Sequence, residues 1–251
     1  MLIYILLFII IILYIFNRTY ENISNKYNIL HLVLYSDEEY YNKMYEITRN
    51  FYKNFNNVKT VYYKFSSSID NDYKLIDDIL LIKGDDTYVP GILDKTIKAF
   101  KYFENYNFDY IVRSNISSII NFNLVNFDDI EYGGGNYMIL NWYDQKSGIN
   151  DDKYMNIPFF QGTFIIFNKK IFNKIMNNIH FIDMNIIDDV AFGVLIQNYI
   201  KNITLKTIPG FTIIYNVNDL DFNTITCYRN KSEDRNNDIK NMEFIVNSIK
   251  I

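Results

Sequence analysis

Phe108-Asp109-Tyr110-Ile111-Val112-Arg113-Ser114-Asn115-Ile116-Ser117-Ser118 is the stretch that decides the fold. Its first half is a short apolar run rich in β-branched and aromatic residues, which predicts a strand buried on both faces of a mostly parallel sheet. The chain turns polar at Arg113, and in open α/β sheets ligands bind at the carboxyl ends of the strands. Arg113-Ser114-Asn115 is therefore a candidate site. Taken alone, the stretch is better explained by a strand that simply leaves the sheet into a polar loop, so the flanking segments decide between the two interpretations.

Strand and helix patterns alternate on both sides of this stretch. Before it, Ile29–Tyr35 predicts a buried strand, Ser36-Asp37-Glu38 predicts the cap of a helix that ends near Phe55, and Pro90–Tyr102 predicts a second helix. The other predicted segments are strands at Val58–Phe65, Tyr73–Ile82, Tyr137–Leu140, Gln161–Phe167, Thr204–Tyr215 (one or two) and Thr224–Arg229, a flexible turn at Gly133-Gly134-Gly135, helices at Lys169–Met176 and Ile187–Tyr199, and a closing helix capped by Ser232. Such alternation implies parallel strands joined by right-handed crossovers. The predicted fold class is α/β, with a mostly parallel central sheet flanked by helices.

Composition limits both the architecture and the function. The chain has 251 residues, of which 49% are hydrophobic, enough for one α/β domain with a proper core. The net charge is -4 and no run of five like charges occurs, so a nucleic-acid partner is not expected. Cys227 is the single cysteine and leaves no intrachain disulfide to form. His31 and His180 lie in different segments without metal-ligand spacing.

The N-terminus predicts a membrane anchor. Residues 1–16 read MLIYILLFIIIILYIF, without a charge. A helix of this length is a little short of the ~30 Å hydrocarbon layer but spans it with flanking adjustment. A secretory signal peptide is the alternative, although no small-residue cleavage site follows. Residues 17–27 then form a polar stem and residues 28–251 the folded domain. Arg18, the first nearby cation, favours a single-pass protein with a cytoplasmic domain.

Three further segments share their order and spacing with one enzyme family. They are Asp86-Thr87-Tyr88-Val89-Pro90-Gly91-Ile92-Leu93-Asp94-Lys95-Thr96, Pro158-Phe159-Phe160-Gln161-Gly162-Thr163-Phe164-Ile165-Ile166 and Ile187-Asp188-Asp189-Val190-Ala191-Phe192-Gly193-Val194-Leu195. The set resembles the motifs of the β-1,3-galactosyltransferase and Fringe group, glycosyltransferase family 31, over about residues 30–230. In that group the first motif is Asp-x-Tyr with Asn-Leu-Thr-x-Lys-Thr, of which the Asn-Leu-Thr is absent here; the others are Pro-x-Tyr with Gly and a hydrophobic run, and Glu-Asp-Val-x-x-Gly-x-x-Leu. The closing Tyr-Arg, then Arg-x-x-Asp, is also similar to glycosyltransferases encoded by large DNA viruses.

This resemblance implies a GT-A nucleotide-sugar fold. The implied reaction transfers a hexose, with inversion, from a nucleotide sugar (a UDP-sugar is expected) to a hydroxyl of a glycan or glycoprotein, and the implied location of the domain is lumenal. Asp189, with Asp188 beside it, would be the base, because an inverting transfer needs a carboxylate to take the acceptor proton. Two acids at a helix start are also typical of helix-dipole partners, and the two interpretations are about even. The predicted donor-binding residues are Ser36, Asp37, Asp86, Tyr88, Lys95, Arg113, Ser114 and Asn115, and the predicted acceptor-binding residues are Trp142, Tyr143 and Gly162.

The main departure from the family pattern lies at the end of the central strand. Families of this kind carry Asp-x-Asp there, and its carboxylates hold a divalent metal such as Mn²⁺ against the donor diphosphate. This chain has Arg113-Ser114-Asn115, so no metal ligand is predicted and Arg113 is expected to neutralise the diphosphate instead, although a divalent metal such as Mn²⁺ stays open as a cofactor. Cys227-Tyr228-Arg229 falls where the group often carries a metal-binding His, which further weakens the case for a metal.

Two other functions stay open at the level of the sequence. The missing Asp-x-Asp is also what a non-catalytic nucleotide- or glycan-binding module on the same fold would show. A structural membrane protein whose folded domain mediates assembly would have no nucleotide pocket at all.

Overall fold

The computed structural model describes residues 26–217 and 220–250. Its strands are β1 (Ile29–Leu34), β2 (Val58–Ser66), β3 (Tyr73–Ile76), β4 (Ile79–Lys83), β5 (Tyr110–Asn115), β6 (Ser118–Ile120), β7 (Tyr132–Gly134), β8 (Tyr137–Ile139), β9 (Pro158–Phe160), β10 (Phe164–Asn168), β11 (Leu205–Thr207), β12 (Phe211–Ile214) and β13 (Cys227–Asn230). Its helices are α1 (Glu39–Tyr52), α2 (Gly91–Tyr102), α3 (Lys169–Asn177), α4 (Asp188–Leu195) and α5 (Arg235–Ser248), and a π-helical turn at Ile196–Ile200 continues α4.

Eight strands form one large sheet in the order β11-β7-β10-β5-β1-β2-β4-β3. The four strands β5, β1, β2 and β4 are parallel, whereas β10 runs antiparallel to both of its neighbours, β5 and β7. β1 and the first half of β5 are largely apolar, as expected for strands in a sheet that is covered on both faces. The predicted α/β class, with a mostly parallel sheet flanked by helices, is therefore confirmed.

Alternate residues of the central strands point into two separate helical layers. Leu30, Leu32 and Ile111 pack into one core together with residues of α2, α3 and α4. Val33 and Val112 pack into the other core with residues of α1 and α5. The side-chain period of a strand then places Arg113 on the side of α2, α3 and α4, and the next residue on the opposite side.

The chain reverses its direction of winding at β1, in the middle of the sheet. From β1 it passes through α1 to β2 on one side, and from α2 it returns to β5 on the other side. In open α/β sheets, ligands bind in the crevice outside the carboxyl ends of the strands at such a switch point. Here the crevice lies between Tyr35-Ser36, which follow β1, and residues 115–117 at the end of β5. A second, three-stranded sheet, β12-β13-β6, begins beside it.

β5 continues further than the sequence pattern predicts. Arg113 and Asn115 pair with Leu32 and Leu34 of β1, so the polar residues belong to the strand and not to a loop after it. Backbone pairing with β1 and β10 on either side fixes them there, whatever the polarity of their side chains. The side chains that the sequence assigned to a site are therefore held on a rigid element.

Two predictions in the outer parts of the sheet are wrong. The predicted single strand Tyr73–Ile82 is a hairpin, because the chain turns at Asp77, whose φ is 54°, and β3 folds back on β4. Gly133 and Gly134 are not a flexible turn but part of β7, where they pair with β10 and β11. Their missing side chains allow close packing rather than access for a ligand.

The predicted caps of the first and last helices are also wrong. α1 begins at Glu39, and no side chain forms a cap hydrogen bond at its N-terminus. α5 is capped by Asp234, whose side chain accepts from the Asn236 N–H, and not by Ser232. Several polar residues precede each helix, so the sequence pattern does not single out the one at the cap position.

The predicted anchor lies outside the described residues. Among the helices that the structure does describe, none combines the length and the apolar composition of a membrane span.

Close packing around β7 leads to a stability prediction. A Cβ atom at Gly134 would lie 2.4 Å from the Phe164 carbonyl oxygen and 2.7 Å from the Cβ of Phe160. We expect Gly134→Ala to lower the free energy of unfolding by ~1–3 kcal/mol, the usual range for overpacking, because β7 cannot move without losing its pairing. Denaturant unfolding measures this. An unchanged midpoint and slope would contradict the packing described for β7.

Candidate active site

A buried ion pair joins the end of β5 to the start of α4. Nη2 of Arg113 lies 2.6 Å from Oδ2 of Asp188, and both side chains are almost completely buried. Burial lowers the pKa of the Arg113 guanidinium, but Asp188 acts against it together with Tyr63 and Asp189, and the combined effect leaves the pKa raised. The cation that was expected to meet a diphosphate is thus already neutralised by an acid of the protein.

Gly162 packs directly against this guanidinium. A Cβ atom at position 162 would lie 2.5 Å from Nη1 of Arg113, so glycine leaves the room that the arginine needs. The N–H of Gly162 donates to Oδ2 of Asp189 at 2.9 Å, and Nη1 of Arg113 donates to Oδ1 of Asn115 at 2.8 Å. Gly162 shortly precedes Phe164, which pairs with Ser114. This cluster therefore lies at the carboxyl edge of β5, beside the switch point.

Asp188 and Asp189 have different surroundings although they are adjacent in sequence. Asp188 faces Arg113, whereas Asp189 is partly buried and accepts hydrogen bonds from the N–H groups of Gly162 and Val190. Burial, and next the charge of Asp188, raises the pKa of Asp189 to about 6, while the two hydrogen bonds and Arg113 act in the opposite direction. Asp188 is thus the counter-ion of Arg113, whereas Asp189 is a carboxyl that has a raised pKa and no cation of its own among the described residues.

Lys95 ties the end of β1 to the segment before α2. Its Nζ atom donates to Oδ1 of Asp86 at 2.5 Å and to the Tyr35 carbonyl at 3.0 Å, and it lies 3.4 Å from Oγ of Ser36. The side chain is 1% exposed, and burial lowers its pKa against the opposing effect of Asp86. Three predicted donor-binding residues, Ser36, Asp86 and Lys95, therefore lie together on the β1 side of the crevice.

Two predicted donor-binding residues lie away from this cluster. Ser114 is buried in the opposite layer, where its Oγ lies 2.8 Å from Nε2 of His31. Burial lowers the pKa of His31 to about 3, so this pair is neutral at physiological pH. Asp37 is exposed and forms an ion pair with Lys64 at 3.0 Å.

Two of the three predicted acceptor residues, Trp142 and Tyr143, lie on a loop that packs against α4, whereas Gly162 packs against Arg113. The Ser147 carbonyl accepts from the Ile187 N–H at 2.9 Å, and the Ser147 hydroxyl lies 3.3 Å from that of Tyr88. Trp142 and Tyr143 are 36% and 62% exposed. Tyr143 also lines an open cleft of about 510 Å³ together with Gln145, Ile149, Asn150, Asp151 and Asp152. An exposed aromatic ring next to carboxylate and amide groups is a surface suited to a sugar.

The residues at the end of β5 do not fit a divalent metal ion. Hard cations such as Mg²⁺ and Ca²⁺ are bound through several oxygen ligands, mostly carboxylates. At the corresponding position this chain presents Arg113, whose guanidinium is a cation and has no acceptor atom. Within residues 26–217 and 220–250, no group of three or more His, Cys, Asp or Glu side chains is arranged to hold a metal ion.

Tyr63, Ser117 and Arg229 lie beside this cluster, and sequence patterns predicted no site role for them. The hydroxyl of Tyr63 lies 3.0 Å from Oγ1 of Thr96, and Tyr63 also interacts with Arg113. Ser117 accepts a hydrogen bond from Arg229. The register of β2 against β1 and of β13 against β6 brings them here, and no local motif reports a register.

A scan of protein-family models finds none that matches the chain, and a search of the curated proteins finds no match either.

Coupling between Arg113 and Asp188 is open to a double-mutant cycle. We expect Arg113→Met and Asp188→Asn each to lower the free energy of unfolding by ~3–5 kcal/mol, because each leaves a buried charge without its partner. The double variant should lose much less than the sum of the two. Denaturant unfolding measures all four proteins, with Arg113→Lys as a milder single variant if Arg113→Met does not fold. Simple additivity would show that the two charges do not interact.

Proposed function

We propose that the chain is a GT-A-like glycosyltransferase, which transfers a hexose from a nucleotide sugar, expected to be a UDP-sugar, to a hydroxyl of a glycan or glycoprotein with inversion. The observation that carries the proposal is the Asp189 carboxylate, held by the Gly162 N–H at 2.9 Å beside the switch point of the sheet. The ordered motifs around Asp86, Gly162 and Asp189 support the same family, and their residues meet at one edge of the sheet.

Asp189 would act as the general base. As the acceptor oxygen forms its bond to the anomeric carbon, the bond from that carbon to the phosphate oxygen breaks, and the acceptor proton passes to Asp189. A carboxylate with its pKa raised to about 6 is ionised at pH 7 and is a better proton acceptor than an ordinary aspartate. Two backbone N–H donors fix its orientation before the substrate arrives.

The two sides of the crevice suit the two substrates. On the β1 side, Ser36, Asp86 and Lys95 would contact the donor, with Lys95 acting through Asp86 because it is itself buried. On the α4 side, the loop that carries Trp142 and Tyr143 would receive the acceptor sugar. Residues 1–16 would anchor the enzyme in a membrane. The side on which the domain lies stays open, since the family resemblance implies the lumen and Arg18 favours the cytoplasm.

The base assignment predicts both a pH profile and a change in stability. We expect kcat/KM to fall about tenfold per pH unit below about pH 6, because the protonated carboxylate cannot accept a proton. Asp189→Asn should lower turnover at least ~100-fold.

The folded protein holds the proton of Asp189 more tightly than the unfolded chain does, so the contribution of Asp189 to stability falls as the pH rises from about 4 to about 6. Asp189→Asn should therefore raise the melting temperature at pH 7.5.

Glu104→Gln provides a matched control. Glu104 is an exposed acid between α2 and β5, so it lies at the amino end of β5, away from the carboxyl ends where the site is. Its turnover and melting temperature should equal those of the wild type. Asp189→Asn with wild-type turnover and a normal fold would refute the base assignment. Loss of turnover together with a lower melting temperature would indicate a structural role instead.

Thermal-shift screening against nucleotide sugars separates the enzyme from its alternatives. A ligand at a hundred times its dissociation constant adds about 2.7 kcal/mol of stability, which gives a clear rise in melting temperature. We expect at least one UDP-sugar to stabilise the protein and to be hydrolysed slowly without an acceptor. Binding without hydrolysis or transfer would favour a non-catalytic module. No binding of any nucleotide sugar would favour an assembly protein.

A further inference from the structure

Arg229 is a partly buried cation without an acidic partner in the described part of the chain. It lies in β13 directly opposite Ser118 of β6, and its Nη1 donates to the hydroxyl of Ser117. The ion pairs of the described arginines involve Arg49, Arg113 and Arg235, but not Arg229. Burial, followed by the positive charge of Arg235, lowers the pKa of Arg229 to about 10. The fold thus holds this charge in an unfavourable environment.

The neighbouring arginines differ from Arg229 because each has its own carboxylate. Arg113 pairs with Asp188 at 2.6 Å, and Arg235 pairs with Asp238 at 2.8 Å. Both neighbours still disfavour the charged form of Arg229 through their positive charge. The three arginines together therefore carry one positive charge, that of Arg229, which no described acid compensates. A bound anion would supply the missing negative charge.

The position of Arg229 makes a substrate anion the natural partner. β6 begins at Ser118, just after β5 ends at Asn115, so its pairing with β13 brings Arg229 beside the carboxyl end of β5. The Asn230 N–H donates to the Ser117 carbonyl at 2.9 Å and fixes this register. Nε of Arg113 and Oγ of Ser118 are also buried without a hydrogen-bond partner among the described residues.

We infer that Arg229, oriented by Ser117, binds the diphosphate of the nucleotide donor. This inference rests on the proposed function and identifies the group that neutralises the leaving nucleotide. When the bond from the anomeric carbon to the phosphate oxygen breaks, its electron pair stays on the nucleoside diphosphate, which gains one negative charge. A guanidinium binds two phosphate oxygens through parallel N–H groups, and it supplies the countercharge without a metal ion. Arg113, by contrast, is a positioning residue that holds Asp188.

Isothermal titration calorimetry in EDTA tests this role by measuring the dissociation constants of UDP, inorganic pyrophosphate and uridine. We expect Arg229→Gln to weaken the binding of UDP and of pyrophosphate ~10- to 100-fold, because charge-assisted hydrogen bonds to the phosphates are lost. Any binding of uridine should stay unchanged, since uridine has no phosphate. Arg229→Lys should recover part of the affinity, because it keeps the charge and loses the planar fork. Ser117→Ala, which keeps the charge, should weaken UDP binding by a smaller factor.

The charge control is Lys74→Gln, on the exposed edge strand β3 at the far end of the sheet. It removes the same charge and should leave UDP binding unchanged. If Arg229→Gln binds UDP as tightly as the wild type, or if Lys74→Gln weakens binding equally, the inference fails while the transferase proposal stands. If the wild type binds neither UDP nor pyrophosphate in EDTA, the inference also fails, and the turnover of Asp189→Asn then decides the transferase proposal separately. Should Arg229→Gln not fold, Arg229→Lys and Ser117→Ala test the inference instead, and wild-type affinity for UDP in both variants would overturn it.

Discussion

The buried ion pair between Arg113 and Asp188 is the constraint on which the rest of the site depends. An almost completely buried guanidinium such as that of Arg113 needs a countercharge, because removing a lone ion from water costs several kcal/mol. Asp188 supplies that charge from the first turn of α4, and the pair fixes how the helix docks on the sheet. The docking in turn places Asp189 against the Gly162 N–H. A contact that carries out no chemistry thereby sets the position of the residue proposed to do so.

Charge is distributed unevenly around the switch point. On the side of α4, Arg113 is neutralised, and Asp189 is left as a weakly acidic carboxyl. On the side of the small sheet, Arg229 has no acidic partner within residues 26–217 and 220–250. A donor with a negative leaving group would then bind on the side of Arg229, and an acceptor with a hydroxyl nucleophile on the side of Asp189. Under the proposed function, binding and reaction would draw on the same electrostatic asymmetry.

The sequence predicted the layers of this fold better than it predicted the contacts of the site. The apolar runs of β1 and β5 and the alternation with helices gave the class of fold, since burial on both faces leaves a local signature. Arg113, Gly162 and Asp189 were selected by motif, and the structure brings them together. The sequence could not show that Arg113 pairs with Asp188, or that Ser114 faces His31, because both depend on strand register and helix docking. The contact of Arg229 with Ser117 was hidden for the same reason, since the two residues are more than a hundred positions apart.

The pairing of β13 with β6 has a consequence for biosynthesis. The strands of the large sheet all lie before residue 208, whereas β13 and α5 are made afterwards. All strands of the large sheet, together with Asp189, can therefore leave the ribosome while Arg229 is still in the exit tunnel, but the core on the side of α1 closes only when α5 follows. Affinity for the nucleotide would be acquired late, when the final strand docks. Ribosomes that stall in this last segment would release chains in which the core between the large sheet and α5 is incomplete.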